Sequence, residues 1–291
     1  MQDITNSPIT DIKFNDFNIL VKRDDLLDKD FSGNKARKFY YYLQNDFPNI
    51  DTIVSYGSNQ SNAMYSLSVL AKLKDWKFIY YTYHIPKTLQ NNPDGNYKAA
   101  LTNGMDLRVD ENFDKTKLDL KENELFIDEG GAIKEASFGI KLLAKEIEQY
   151  KKEKNIKDLE VFLPSGTGTT ALYLQKFLNL KVLTTPCVGD DKYLKQQWLE
   201  LEDEKYHPTI LTSSKKYHFG KLYKENYILW KELKEKTDIE FDLLYDPIGW
   251  RIFLDYLSKN YSSNTTYLYI HQGGILGNST MIKRYKYKYY T

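Results

Sequence analysis

Short apolar runs rich in β-branched and aromatic residues alternate along this chain with longer stretches of helical periodicity, and several of the short runs end on Gly or Ser. No other feature constrains the fold as much. A strand that reaches its neighbour only through an intervening helix builds a mostly parallel sheet covered by helices, so the class is α/β. The pattern predicts strands over Thr52–Tyr56, Phe78–His84, Met105–Val109, Leu125–Asp128, Glu160–Leu163, Lys181–Pro186 and Tyr267–His271. It predicts helices over Asn34–Gln44, Gln60–Lys74, Pro93–Thr102, Lys134–Lys154, Thr169–Leu178, Asp190–Asp203, Tyr223–Lys236 and Pro247–Lys259. The charge-rich stretch from Gln149 to Asp158 joins two strand–helix series and is the expected crossing between domains.

With 291 residues, 41% of them hydrophobic, the chain can bury a core, which argues against disorder. Lys and Arg total 41 against 40 for Asp and Glu, so no basic field draws it to nucleic acid or an anionic membrane. No apolar run approaches the roughly 20 residues that span a bilayer. The single cysteine, Cys187, leaves no intrachain disulfide and no cysteine-based metal site, which fits a reducing cytoplasm. Cys187 reads as a packed thiol, and the four histidines show no metal-ligand spacing.

Four glycine-marked segments close predicted strands, the place where open α/β sheets bind ligands. Ser165-Gly166-Thr167-Gly168-Thr169 follows an apolar run and opens a helix, which suits a phosphate cup made of free N–H groups and hydroxyls; a bare glycine turn is the alternative. The segment lacks the Gly-Lys-Ser/Thr of a nucleotide P-loop and the full dinucleotide spacing, so a smaller phosphate fits better. Lys35 stands just after Gly33, at a helix start, where a cation opposes the helix dipole. That placement makes sense for a desolvated amine that adds to an aldehyde cofactor, with a solvated lysine as the ordinary alternative. Lys38, one turn on, could meet a phosphate. Gln60-Ser61-Asn62 opens another helix, suited either to a carboxylate or to plain N-capping. Gly130-Gly131 and Gly273-Gly274 complete the set, and His271 beside the latter could border a cofactor or satisfy the loop.

Val21-Lys22-Arg23-Asp24-Asp25, Gly33-Asn34-Lys35-x-Arg37-Lys38, Gln60-Ser61-Asn62, Glu129-Gly130-Gly131, Ser165-Gly166-Thr167-Gly168 and His271-x-Gly273-Gly274 occur in one order. In this, the chain resembles the 1-aminocyclopropane-1-carboxylate (ACC) deaminase and D-cysteine desulfhydrase family, from about Val21 to Gly274. The resemblance implies open twisted sheets in two domains, of the tryptophan-synthase-β-like (fold type II) kind, with pyridoxal 5'-phosphate (PLP) in the interdomain cleft. Residues 1–50 and 146–291 would form the larger domain and 51–145 the smaller. It further implies a homodimer acting on a small amino acid.

Carried over position by position, the resemblance makes Lys35 the lysine that holds the cofactor and moves the substrate proton. Asn62 partners the cofactor hydroxyl, and Ser61 meets the substrate carboxylate. Ser165, Gly166, Thr167, Gly168 and Thr169, with Lys38, hold the phosphate. Tyr245 lies against the ring and acts on substrate, and Asp246 faces the ring nitrogen, where an acid favours the protonated ring and leans toward the deaminase type. Three positions depart from the family. Gln272 stands where deaminases favour leucine and desulfhydrases threonine, Ala63 replaces a frequent histidine, and Phe219 lacks the hydroxyl of a second active-site tyrosine that neighbouring Tyr217 could supply. The expected activity is a PLP-dependent deaminase or lyase giving a 2-oxo acid and ammonia. The alternatives are a PLP-binding homologue without catalysis, or another amino-acid lyase or synthase of the same fold.

Overall fold

Two sheets organise the chain in the computed structural model, which describes residues 4–213 and 215–290. In chain order the elements are β1 (Ile9–Phe14), β2 (Phe17–Arg23), α1 (Gly33–Gln44), β3 (Thr52–Tyr56), α2 (Asn62–Lys74), β4 (Lys77–Thr82), α3 (Lys87–Asn91), α4 (Gly95–Thr102), β5 (Met105–Val109) and β6 (Glu124–Phe126). There follow α5 (Ala136–Glu153), β7 (Asp158–Ser165), α6 (Thr169–Phe177), β8 (Lys181–Pro186), α7 (Asp191–Leu199), β9 (Thr209–Ile210), α8 (Lys224–Thr237), α9 (Asp246–Asn260), β10 (Thr265–His271) and α10 (Asn278–Tyr289). One sheet runs β1-β2-β10-β7-β8-β9 and the other β5-β4-β3-β6, and every pairing except β1 with β2 is parallel. Among the described residues no helix is long and apolar enough to cross a membrane.

All the predicted strands and helices are present, with Thr52–Tyr56, Met105–Val109 and Lys181–Pro186 at the predicted bounds. The sequence reading missed β1, β2, β9, α3 and α10. β1 and β2 form a hairpin closed by Asn15 (φ 47) and Asp16 (φ 65), a two-residue turn whose left-handed pair matches strand twist. α10 is mostly polar, burying only Asn278, Met281 and Tyr285, so its periodicity is faint.

Strand alternation divides the six-stranded sheet's core in two. Phe162, Tyr267 and Tyr269 face α8 and α9, packing on Trp250 and Phe253. Val161, Leu163, Leu268 and Ile270 face α5 and α6 with Ile140, Leu143 and Leu174. The buried face of α1, including Phe39 and Leu43, packs instead with Leu67 and Leu70 of α2, Ile53 of β3 and Phe78 of β4.

The other side of α1 is held by charge. The Arg37 guanidinium donates to Asp24 (2.8 and 3.1 Å) and to Glu146 of α5 (2.6 and 2.8 Å). Lys22 of β2 pairs with the same Glu146 at 2.6 Å. All four side chains are buried. Burial raises Glu146, but Arg37 and then Lys22 outweigh it and hold the carboxyl below its ordinary pKa. Paired and hydrogen-bonded, these charges fix β2, α1 and α5 relative to one another, and removing one member would leave the others exposed to a low dielectric.

Candidate functional site

The loops after β3, β6, β7 and β10 leave the C-terminal ends of their strands and converge with the start of α1. Close backbone contact makes this possible. A Cβ on Gly33 would collide with the Gln272 carbonyl, and one on Gly273 would sit 2.9 Å from the Gly33 Cα. Both glycines have left-handed φ (+69 and +74), so L side chains are disfavoured there on two counts. Asn34 N–H donates to the Gln272 carbonyl at 2.9 Å, docking the first turn of α1 on the end of β10. Gln272 adds a brace, accepting from Asn34 Nδ2 (2.9 Å) and donating to the Pro164 carbonyl (2.6 Å).

From that turn Lys35 and Lys38 project side by side, both donating to the Gly130 carbonyl, at 2.8 and 3.0 Å. Lys38 also reaches Thr167 Oγ1 at 3.3 Å. Among the described residues neither amine has a carboxylate within ion-pair distance. Burial pulls Lys35 down to about 8, against the hydrogen bond with Lys38 and the charge of Glu129. Lys38 falls well below the ordinary lysine value, first through burial and then through the charge of Lys35. Two adjacent desolvated amines cannot both stay charged at little cost, which favours either loss of a proton or an anion held between them.

The cup opposite them is built by the β7–α6 turn. Gly168 (φ +74) forms the N-cap of α6 without a side-chain cap, and its carbonyl accepts from Trp198 Nε1 at 3.1 Å. Thr167 and Thr169 hydroxyls lie 3.0 Å apart. Thr170, in the first helical turn, keeps a buried hydroxyl with no partner among the described residues. Ser165 differs from its neighbours, since its hydroxyl bonds the Thr184 hydroxyl inside the sheet at 2.7 Å. A helix N-terminus without a side-chain cap, an orphan hydroxyl and two lysines with no carboxylate partner among the described residues together fit a phosphate.

Asn62 and Ser61 form the start of α2. Ser61 Oγ accepts from the N–H groups of Ala63 (3.1 Å) and Met64 (3.4 Å), so the capping reading is realised in the structure. Asn62 Nδ2 points at Gly274, where a Cβ would sit only 2.6 Å away. Asp242 Oδ2 lies 3.1 Å from the same point. Asp242 and Asp246 lie at the head of α9. Asp242 Oδ1 accepts from the N–H of Leu244 (2.8 Å) and Tyr245 (2.5 Å), while Asp246 accepts from Tyr269 OH (2.6 Å) and the Asp242 N–H (2.9 Å). Burial pushes Asp242 up to about 7, and burial together with the charge of Asp242 lifts Asp246 well above the carboxylate range. Tyr245 packs against Gly166, its hydroxyl 3.6 Å from where a Cβ would stand there, and burial raises its phenol. A cavity of about 400 Å³ touches Lys35, Asn62, Tyr65, Asn96, Gln272 and Gly274.

The structure thus gathers Lys35, Lys38, Thr167, Gly168 and Thr169 at one cup, with Gly166 and Tyr245 in contact beside it. Asn62 and Asp242 flank Gly274. Asp246 has both carboxylate oxygens engaged by Tyr269 and the Asp242 backbone. Phe219 lies with its ring centroid 5.3 Å from that of Tyr245, so the segment lacking the second hydroxyl does reach the site, while Tyr217 meets Tyr223 edge to face. His271 satisfies its own loop: Nδ1 accepts from Gly273 N–H at 3.1 Å, so Nε2–H donates to the Glu240 carbonyl at 2.9 Å, and burial favours this neutral ring. Cys187 is buried, which pushes its thiol up and away from reactivity. Glu129 and Asp242 were not read as site residues. Glu129 lies across from Gly57, where a Cβ would meet its Oε1 at 2.7 Å, and the family motif containing it was the available signal.

No protein-family model matches the chain, and no curated protein sequence does. Solved structures do. An ACC deaminase homologue is similar at TM-score 0.73 and 21% identity, over 92% of this chain and 88% of that one. A hydrogen sulfide-producing enzyme from Fusobacterium nucleatum is similar at TM-score 0.64 and 14% identity, over 93% and 94%. A fungal L-serine ammonia-lyase from Rhizomucor miehei gives 0.66 and 14%, over 99% and 100%. The chain therefore has the tryptophan-synthase-β-like, fold type II architecture that the motif order implied.

Proposed function

We propose that this protein is a PLP-dependent deaminase or lyase that converts a small amino acid to a 2-oxo acid and ammonia. The observation that carries the reading is the convergence on a helix-capped cup of two lysines, Lys38 buried and Lys35 half-buried, with no carboxylate partner among the described residues. An aldehyde cofactor with a phosphate needs both features, a nucleophilic amine and an anion site. Lys35 would hold the aldehyde carbon, and Thr167, Gly168, Thr169 and Lys38 the phosphate, with Ser165 and Gly166 shaping the turn. Asn62 would meet the ring hydroxyl, and the acid pair Asp242 and Asp246 would supply the carboxylate for the ring nitrogen. PLP, when bound, supplies an electron sink for a carbanion at the substrate.

The chain's own residues do the rest. The Asn62 N–H at the head of α2, with the Ser61 hydroxyl, would bind and orient the substrate carboxylate. Lys35, whose amine burial pulls down to about 8, would take a proton at the substrate Cα or Cβ and return it. Tyr245 covers the cup from the α9 side, excludes water and offers a hydroxyl toward the substrate.

The test is 2-oxo acid release by the PLP-loaded protein from D-cysteine, β-chloro-D-alanine, D-serine and ACC. Release from one of them that Lys35→Ala abolishes supports the reading. No release from any of them overturns it in favour of a PLP-binding protein without turnover, which Phe219 beside Tyr245 would help explain. Elimination followed by capture of an added thiol would instead indicate a synthase.

A further inference from the structure

The amide of Asn62 can present either its oxygen or its nitrogen to the cleft, and the structure shows what decides. Asn96, in the first turn of α4, is 1% exposed. Its Nδ2 lies 2.9 Å from the Gln60 backbone carbonyl and 2.6 Å from Asn62 Oδ1. A backbone carbonyl only accepts, so the Asn96 atom facing it is the nitrogen. That nitrogen in turn must face an oxygen of Asn62, which leaves the Asn62 NH₂ directed at Gly274 and the cleft. The polarity therefore runs in one direction from the Gln60 carbonyl, through two amides, to the cofactor side.

We propose that Asn96 is a positioning residue that fixes the Asn62 amide so that it donates into the cleft. The inference rests on the PLP reading of the site only for the identity of the acceptor, an oxygen on the cofactor ring. A second feature supports it. Asn96 Oδ1 is buried with no partner among the described residues, an arrangement that costs stability and would be better served by an apolar residue unless the donor end is needed. The start of α4 is itself fastened from both sides. Gln60 Nε2 donates to the Asp94 carbonyl at 3.1 Å, and Ser279 and Lys283 of α10 reach the Asp94 carboxylate at 3.1 and 2.7 Å. Through Asp94 the start of α4 thereby links Gln60, just ahead of α2, to α10.

The experiment is a double-mutant cycle on cofactor binding. Asn96→Ala and Asn96→Asp are made alone and on an Asn62→Ala background, and PLP affinity and the pH midpoint of the visible cofactor band are measured, with thermal unfolding of the cofactor-free proteins in parallel. Loss of one oriented hydrogen bond predicts affinity weakened about tenfold and a moved pH midpoint in the single variants. On the Asn62→Ala background the Asn96 substitutions should change neither. Equal effects on both backgrounds, or an unmoved midpoint in folded Asn96 variants, would overturn the proposal. If the wild-type chain binds no PLP at all, the reading of the site fails, and the relay is judged on the free protein. There the Asn62 side-chain amide protons should shift in the NMR spectrum of Asn96→Asp, and unshifted signals would refute it. Should Asn96→Ala not fold, Asn96→Ser replaces it in the cycle.

Discussion

Replacing Arg37 by methionine isolates the buried network that seats α1. The side chain keeps much of its apolar stem but loses four charged hydrogen bonds, two to Asp24 and two to Glu146. Lys22 alone then faces Glu146. Breaking a buried pair this way costs about 3–5 kcal/mol, because uncompensated carboxylates stay in a low dielectric. Urea unfolding at pH 7 should show that loss. The pH dependence supplies a second check. In the wild type Glu146 is held below its ordinary pKa, so its contribution is present above the unfolded value and lost as pH falls through the folded one. In the variant only Lys22 still opposes burial, so the depression shrinks and the protonated acid gains ground. The difference between the two proteins should therefore shrink as pH falls from 7 toward 4. A loss under about 1 kcal/mol at pH 7, the range of a surface pair, or a difference that does not change with pH, would refute the reasoning.

Other substitutions address the site. Lys35→Met should stabilise the cofactor-free protein at pH 7 by up to about 3 kcal/mol, since folding lowers the Lys35 pKa from 10.5 to about 8, and the gain should fade as pH rises through that window. A Lys35→Met protein less stable than wild type at pH 7 would contradict the burial argument. Gly274→Ala places a Cβ 2.6 Å from Asn62 Nδ2 at a φ of +85, so cofactor affinity should drop at least tenfold while far-UV circular dichroism is unchanged. Retained affinity in that variant would mean that the cofactor ring lies elsewhere. Lys38→Met should weaken PLP far more than pyridoxal lacking the phosphate, and equal losses for the two ligands would remove the phosphate role.

Most of the strands were legible because buried parallel strands such as Val161-Phe162-Leu163 are apolar on both faces and stand between helices of clear period. The β1–β2 hairpin was not, since its strands are half polar and their burial depends on pairing with β10. At the candidate site, Lys35 was readable from its place just after the Gly33 turn at a helix start, and the cup from glycines that follow the end of a strand. Of the buried network, Lys22, Asp24 and Arg37 appeared only as motif residues and Glu146 not at all, because the acid on α5 lies 109 positions from Arg37 and no local spacing links them. Gln272 matched neither family preference, and its contacts show why: it braces Asn34 against the end of β7. The carried-over role of Asp246 rested on its place beside Tyr245, which fixes where the residue sits but not which of two neighbouring acids reaches Gly274.

The central claim is that Lys35 carries PLP, and the direct measurement is the absorbance spectrum of the PLP-treated protein before and after borohydride, repeated with Lys35→Ala. A visible band that borohydride abolishes, with the cofactor recovered on the Lys35 peptide and absent from the variant, is the predicted result. No band in the wild type, or an equal band in Lys35→Ala, would contradict it.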